Sequence, residues 1–230
     1  MTTPPLHPPG DALSVILLDI DGTLIDSNDA HARAWVGSLA EAGYVVPFEK
    51  VRPLIGMGGD KILPMLVGLD PESGEAKRMS ETRSALFRKE LPSLKPTRGA
   101  RDLLVLLRDE GFELVVATSA QESEVTALLE QVGVADLIEH AASKGDADNS
   151  KPDPDIIQAA LAKARRFPGH SVLIGDTPYD IEAADRAGVR TIALRCGGWW
   201  ADDALGGAIG VYDTPAELVR AYASSPLGER

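Results

Sequence analysis

The chain has 230 residues, with 35 acidic against 23 basic side chains and a net charge of -12, so neither nucleic acid nor an anionic membrane surface attracts it in general. Its 44% hydrophobic and 25% charged content is that of an ordinary globular protein, without an apolar run near the roughly 18 residues of a membrane span. The single cysteine, Cys196, excludes an intrachain disulfide or a cysteine-rich zinc site and fits a reducing cytoplasm.

Residues 1–11 hold four prolines and neither the cationic nor the apolar region of a signal peptide; they read as a disordered leader. Leu13 to Leu18 is a short, unalternating apolar run, the pattern of a strand buried on both faces. Similar runs at 112–117, 171–174 and 189–194 each follow a helical pattern, at 100–110, 153–165 and 180–187. This alternation predicts a doubly wound, Rossmann-like α/β core, a parallel sheet with helices on both faces. Gly111 and Gly188 stand where two of those helices would end. Between Ser27 and Leu94 the rhythm changes to helical spacing at 30–42, 61–66 and 75–87, with no convincing buried strand. The expected organisation is a discontinuous core, 12–26 and 95–230, with an inserted helical domain at 27–94. The chain leaves the core at Asp26-Ser27 and returns between Pro92 and Pro96.

Ligands of an open parallel sheet bind beyond the carboxyl ends of its strands, and the polar residues collect there. Asp19, Asp21, Gly22 and Thr23 follow the first strand, Thr118 and Ser119 the second, and Asp176 and Asp180 a later one. Lys151 precedes Pro152 and Pro154 ahead of a helix. Two carboxylates about 4 Å apart repel by about 4 kcal/mol at an effective dielectric of about 20, so the Asp19/Asp21 pair calls for a cation, a proton or both. Several carboxylates, one lysine and a hydroxyl pair describe a magnesium-assisted phosphoryl-transfer site. Mg²⁺ prefers hard oxygen ligands, which Asp19 and Asp176 supply, and it offsets the repulsion between a phosphate dianion and a carboxylate nucleophile. Lys151 is a second cation, and Thr118 or Ser119 can donate to phosphoryl oxygens.

In this order the four segments resemble the haloacid dehalogenase-like superfamily of hydrolases, over Leu13 to about Leu194. The resemblance implies that Asp19 attacks phosphorus to form an aspartyl-phosphate, while Asp21 protonates the leaving oxygen and then activates water. It also implies Mg²⁺ held by the carboxylates of Asp19 and Asp176 and the backbone carbonyl of Asp21, with Asp180 nearby. Substrate contacts are expected from Gly22, Thr23, Thr118, Ser119, Lys151 and His31. The insertion is similar to the type 1 cap of these enzymes. Asp21 argues against the dehalogenase branch, whose halide leaving group needs no proton. Lys50 and Lys61 are candidates for the cap lysine of phosphonate-cleaving relatives, but their flanking sequence does not resemble that subgroup. Asp26, His31, Arg33, Trp35 and the loop Leu54 to Asp60 are closer to the β-phosphoglucomutase type, except that its phosphate-gripping arginine is matched by Gly59. Without that arginine water should capture the aspartyl-phosphate, so a phosphatase acting on a small phosphorylated metabolite is expected. A phosphosugar mutase, with Lys61 or Arg52 restoring the charge, is the alternative. The long insertion and Asp21 disfavour a receiver-like regulatory module. The chain is expected to act as a cytoplasmic monomer, without nucleic-acid or membrane partners.

Several residues also carry plainer readings. His31 is either a packing or surface histidine or a substrate contact, and Ser119 either binds phosphate or caps the next helix. Trp35 is expected in the core of the insertion, Trp199 and Trp200 against the main core, and Cys196 as an inert buried thiol. Gly56 to Gly59 reads as a flexible closing loop, because no Lys-Ser/Thr pair follows to make a phosphate-cradling loop. To be an acid at neutral pH, Asp21 needs a pKa raised by roughly 3 units. Burial beside Asp19 and closure of the insertion over substrate push that way and Mg²⁺ pushes the other, so closure rather than the open site is expected to make the acid.

Overall fold

Val15–Leu18 (β1) has all four side chains withdrawn from solvent, as a strand covered on both faces must. In the computed structural model, which describes residues 13–228, β1 sits inside a sheet of six parallel strands. It pairs with Glu113–Ala117 (β2) on one side and Ser171–Gly175 (β4) on the other. His140–Ala142 (β3) extends the sheet beyond β2, and Arg190–Leu194 (β5) and Gly210–Tyr212 (β6) extend it beyond β4. The order is β3-β2-β1-β4-β5-β6. Successive strands are therefore laid down away from β1 in both directions, which opens a crevice at its carboxyl end.

Side chains of β1 alternate between two apolar layers. Ile16 and Leu18 face Ala100–Asp109 (α5), Glu122–Val132 (α6) and Pro215–Ala221 (α9). Val15 and Leu17 face Asp155–Ala164 (α7) and Pro178–Arg186 (α8). The doubly wound α/β fold is thus present. Between β1 and α5 the chain forms Asn28–Glu41 (α1), Phe48–Val51 (α2), Gly59–Val67 (α3) and Gly74–Glu90 (α4). These helices have an apolar cluster of their own that includes Trp35, Leu39, Val51, Ile62 and Met79. Ala30, Ala34 and Phe87 on the same helices belong instead to a layer of the main sheet.

The differences from the sequence reading have local causes. β3 and β6 are three-residue edge strands with partly exposed side chains, so no apolar run marks them. α7 begins at Asp155, two residues later than its spacing predicts, after Pro152 and Pro154 have restrained the preceding backbone. α8 begins two residues early because Thr177 and Asp180 form a reciprocal capping box with Pro178 in the first turn. The backbone at Gly111 and Gly188 is left-handed, with φ of 84° and 75°, as expected just past a helix end. Trp200 packs edge-on against Tyr179, their ring centroids 5.9 Å apart. Trp199 is not packed into the core: it is 41% exposed and lies 5.6 Å from the Arg52 guanidinium. The leader expected at 1–11 falls outside the described residues. Among the described residues no helix is long and apolar enough to cross a membrane.

Candidate active site at the carboxyl ends of the strands

Asp19 continues β1 by one backbone hydrogen bond, its N–H donating to the Ile174 carbonyl at 2.9 Å. The chain then turns at Gly22, where φ is 77° and a Cβ would stand 2.3 Å from Asp176 Oδ2, so only glycine fits. Asp176, which follows β4, is brought alongside Asp19 by the β1–β4 pairing. Its carboxylate accepts hydrogen bonds from Thr23 Oγ1 at 3.2 Å and Asn28 Nδ2 at 2.8 Å. Gly197 closes the other side, since a Cβ there would lie 1.7 Å from Asp176 Oδ2. Thr23, expected as a substrate contact, is fully buried with its hydroxyl proton committed to Asp176; its side chain orients a carboxylate.

Lys151 is 1% exposed and its ammonium donates to Asp19 Oδ1 at 2.6 Å and Asp180 Oδ1 at 2.7 Å. The other oxygen of Asp180 accepts from the Thr177 N–H and hydroxyl, so the capping box of α8 also aims Asp180 at the lysine. Burial opposes the Lys151 charge, but Asp180 and Asp19 outweigh it and hold the ammonium protonated beyond its usual range. Asp19, Asp176 and Asp180 each present a carboxylate oxygen, all within 4.8 Å of one another. Burial pushes Asp19 up to about 7, with Asp180 and Asp21 adding to the rise and Lys151 opposing it. Burial likewise lifts Asp176 well above the carboxylate range, helped by the charges of Asp180 and Asp19. Three buried carboxylates facing one ammonium leave an excess of negative charge on hard oxygen donors. That donor set fits Mg²⁺.

The Asp21 carboxylate is not in this cluster. Its Oδ1 accepts from Ser27 Oγ at 2.5 Å and faces His31 Nε2 at 2.7 Å. His31 is buried, its ring stacked on Phe87 at 3.8 Å, so it is a packed residue and not a surface one. Arg83 Nη2 lies 2.6 Å from His31 Nδ1. A guanidinium can only donate, so Nδ1 accepts and the ring proton sits on Nε2, where it donates to Asp21. Arg83 Nη1 in turn donates to both carboxylate oxygens of buried Glu124, at 3.0 and 3.2 Å. This chain of bonds runs from α6 of the sheet layer through α4 and α1 of the insertion to the loop after β1. Burial pushes the Asp21 carboxyl up, but His31, the Ser27 hydrogen bond and the Arg83 charge outweigh it and hold it below its ordinary value. The resting site therefore does not make Asp21 an acid, because two donors grip the ionised form.

Thr118 ends β2 and is buried, its Oγ1 accepting from the Ala120 N–H at 3.1 Å, which leaves the hydroxyl proton to donate. Ser119 does not cap α6, whose N-cap is Gln121; its buried hydroxyl has no partner among the described residues. Both line a narrow cavity of about 70 Å³ with Asp19, Asp21 and His31. That cavity shares Gly59, Ser80, Ser84, Ser119, Gln121 and Lys144 with a cleft of about 600 Å³ between the insertion and the sheet. Cys196 lies behind Gly22, its Sγ 3.1 Å from the Gly22 carbonyl. Burial and the nearby Asp176 push its thiol up to about 12, in keeping with an inert residue.

Ser27, Asn28, Arg83 and Glu124 escaped the sequence reading. Ser27 and His31 are one helical turn apart just after Asp21, a spacing that hints at a shared target. Arg83 and Glu124 are 41 residues apart and carry no local signal.

A model of the haloacid dehalogenase-like hydrolases matches residues 16–194. The chain is 30% identical over 197 residues to phosphoglycolate phosphatase of Pseudomonas putida, a match covering 82% of this chain and 72% of that one. A hydrolase from Pseudomonas syringae superposes with a TM-score of 0.85 at 26% identity, over 92% of this chain and 98% of that one. β-Phosphoglucomutase from Clostridium difficile shares the fold, with a TM-score of 0.80 at 20% identity over 92% and 96% of the two chains. With the family model running from β1 to the last residue of β5, this chain belongs to the haloacid dehalogenase-like hydrolase family of enzymes.

Proposed function

We propose that the protein is a Mg²⁺-dependent phosphatase that hydrolyses a small phosphorylated metabolite through an aspartyl-phosphate on Asp19, with residues 27–94 as the cap over the site. The observation that carries this reading is the division of labour among the carboxylates. Asp19 shares a metal-suited cluster with Asp176 and Asp180, whereas Asp21, two residues on, is held apart by Ser27 and His31. Asp19 and Asp176, with Asp180 beside them, would hold Mg²⁺, which supplies positive charge to offset that of the phosphate.

In this mechanism an Asp19 oxygen attacks phosphorus and the bond from phosphorus to the ester oxygen breaks. The departing electron pair takes the proton of Asp21. Water then attacks the aspartyl-phosphate and gives its proton to Asp21, and the bond from phosphorus to Asp19 breaks to release phosphate. Thr118 and Ser119 donate to the phosphoryl oxygens, and Lys151 opposes protonation of Asp19 and orients it. The resting Asp21 is tuned as the base of the second half. A bound phosphate dianion is a like charge beside it and pushes its carboxyl upward, so the acid of the first half is made by substrate binding.

Hydrolysis is favoured over mutase transfer by what surrounds Gly59. A Cβ there would stand 2.9 Å from the Trp35 ring, which leaves no room for an arginine. The two candidate substitutes are engaged elsewhere: Lys61 donates to Asp153 at 2.6 Å and Arg52 to Asp29 at 2.5 Å and to the Gly197 carbonyl, and neither lines the narrow cavity or the cleft. The test is phosphate release from a panel of esters with Mg²⁺, comparing the native chain with Asp19→Asn. Release that persists at the native rate in the variant refutes the mechanism. Conversion of sugar 1-phosphate to sugar 6-phosphate, outrunning phosphate release when a bisphosphate primer is added, would instead establish the mutase.

A further inference from the structure

We propose that Lys144 recognises a second anionic group on the substrate, a carboxylate or phosphate carried by the leaving group close to the ester oxygen. The inference rests on the phosphatase reading for what occupies the site. Lys144 begins a short 3₁₀ turn after β3, and its backbone N–H donates to the Ala120 carbonyl at 2.9 Å. It is thereby fixed to the loop that carries Thr118 and Ser119. Its half-buried side chain lines both the narrow cavity that holds Asp19 and the wide cleft beyond it. A leaving group attached to a phosphate at Asp19 must pass this residue to reach the cleft.

Of the other cations around the site, Arg88 lines only the wide cleft, its Nε donating to the Ser84 carbonyl at 3.2 Å, and the rest are paired. Lys151 bridges Asp19 and Asp180, Arg83 holds Glu124, Lys61 holds Asp153 and Lys77 pairs with Glu72. The carboxylate nearest to Lys144 in sequence, Asp146, is taken by Lys163 Nζ at 2.8 Å and the Ser143 N–H at 3.0 Å. Among the described residues the Lys144 ammonium has no hydrogen-bond or ion-pair partner, and Ser119 Oγ, which lines the same two spaces, is buried without one. With Ser119 assigned to the phosphoryl oxygens, the Lys144 ammonium is the donor at the junction of the two spaces that suits a further anion. The acidic residues of the cleft do not compete for the place. Asp60, Glu72, Glu81 and Asp148 line the wide cleft but not the narrow cavity, and none of them is ion-paired with Lys144. The phosphate being transferred already has Lys151 and the metal-suited cluster opposite it, so the unpaired ammonium at the junction is assigned to the group that follows.

The test compares three probes: 2-phosphoglycolate for a carboxylate, pyrophosphate for a phosphate, and glycerol 1-phosphate for an uncharged leaving group. In Lys144→Met the ratio of kcat/KM for the charged probes to that for glycerol 1-phosphate should fall about tenfold or more, through KM, and Lys144→Arg should restore most of it. Whichever charged probe loses more identifies the anion. The same ratio is read as binding, by calorimetry in an Asp19→Asn background that does not turn over. If the native chain releases phosphate from no probe, the phosphatase reading fails, while the binding ratio still decides the role of Lys144. An unchanged ratio in the Lys144→Met variant overturns the proposal, whether all three probes weaken equally or none does.

Discussion

Replacing Arg83 by Met breaks the bonded chain that reaches Asp21 and leaves Glu124, whose side chain is 2% exposed, without its counter-ion. Stranding a buried charge in this way costs about 3 kcal/mol, which for a chain of this size lowers the melting temperature by roughly 6–12 °C. Adding Glu124→Gln removes the stranded charge, so the double variant should melt well above the single one. Chemistry should not recover with it. In both variants His31 Nδ1 has lost the donor that fixes its proton on Nε2, so donation to Asp21 is no longer enforced. With that donor and the Arg83 charge gone, the Asp21 carboxyl rises from its depressed position. The acidic limb of the profile of kcat against pH, set by Asp21 as the base of the second half, moves to higher pH, and kcat falls by about tenfold or more as that base loses its orientation. Thermal unfolding and a pH–rate series on one ester separate the two effects. A double variant with the native pH profile would refute the claim that this chain of bonds tunes Asp21.

Further outcomes follow from the same geometry. Because Asp19 and Asp176 are raised in the folded state, the metal-free protein binds more protons folded than unfolded between about pH 4 and 7. Its stability should therefore fall as pH rises through that window, as circular dichroism melts can follow. Mg²⁺ at pH 8 and about 100 times its Kd should restore about 2.7 kcal/mol, or roughly 5–10 °C, and a melting temperature indifferent to Mg²⁺ would count against the metal assignment. Gly22→Ala should abolish phosphate release while the sheet stays folded by circular dichroism, since the new Cβ meets Asp176 Oδ2 at 2.3 Å. Cys196, with a thiol pushed to about 12, should have about one part in ten thousand as thiolate at pH 8 and resist iodoacetamide until the protein is unfolded.

The four central strands and the residues at their carboxyl ends were legible because a strand buried on both faces must be written in consecutive apolar residues, and whatever polar residue follows stands out. β3 and β6 were not, since an edge strand of three residues needs no such run. The same contrast holds within the site. Asp19, Asp21, Lys151, Asp176 and Asp180 lie in short segments whose Gly, Pro and Asp content is itself a signal. Glu124, by contrast, is an ordinary acidic residue in the first turn of a helix until the fold brings Arg83 against it. The low pKa of Asp21 was hidden for a similar reason: the sequence places a like charge two residues away, while the donors that overrule it come from the insertion.

Helix α1 has a bearing on how such proteins can be recombined. Asn28 grips Asp176 and His31 grips Asp21, three residues apart on one side of the helix. Ala32, Trp35 and Leu39 supply the interior of the insertion. A helix that belongs by position to one unit is thus furnished for the chemistry of the other. Exchanging insertions between relatives by cutting at residue 27 would deliver a foreign set of partners to both carboxylates. A chimera meant to acquire a new specificity on this core should keep α1 from the parent together with Arg83 of α4, so that the bonds reaching both carboxylates survive the exchange.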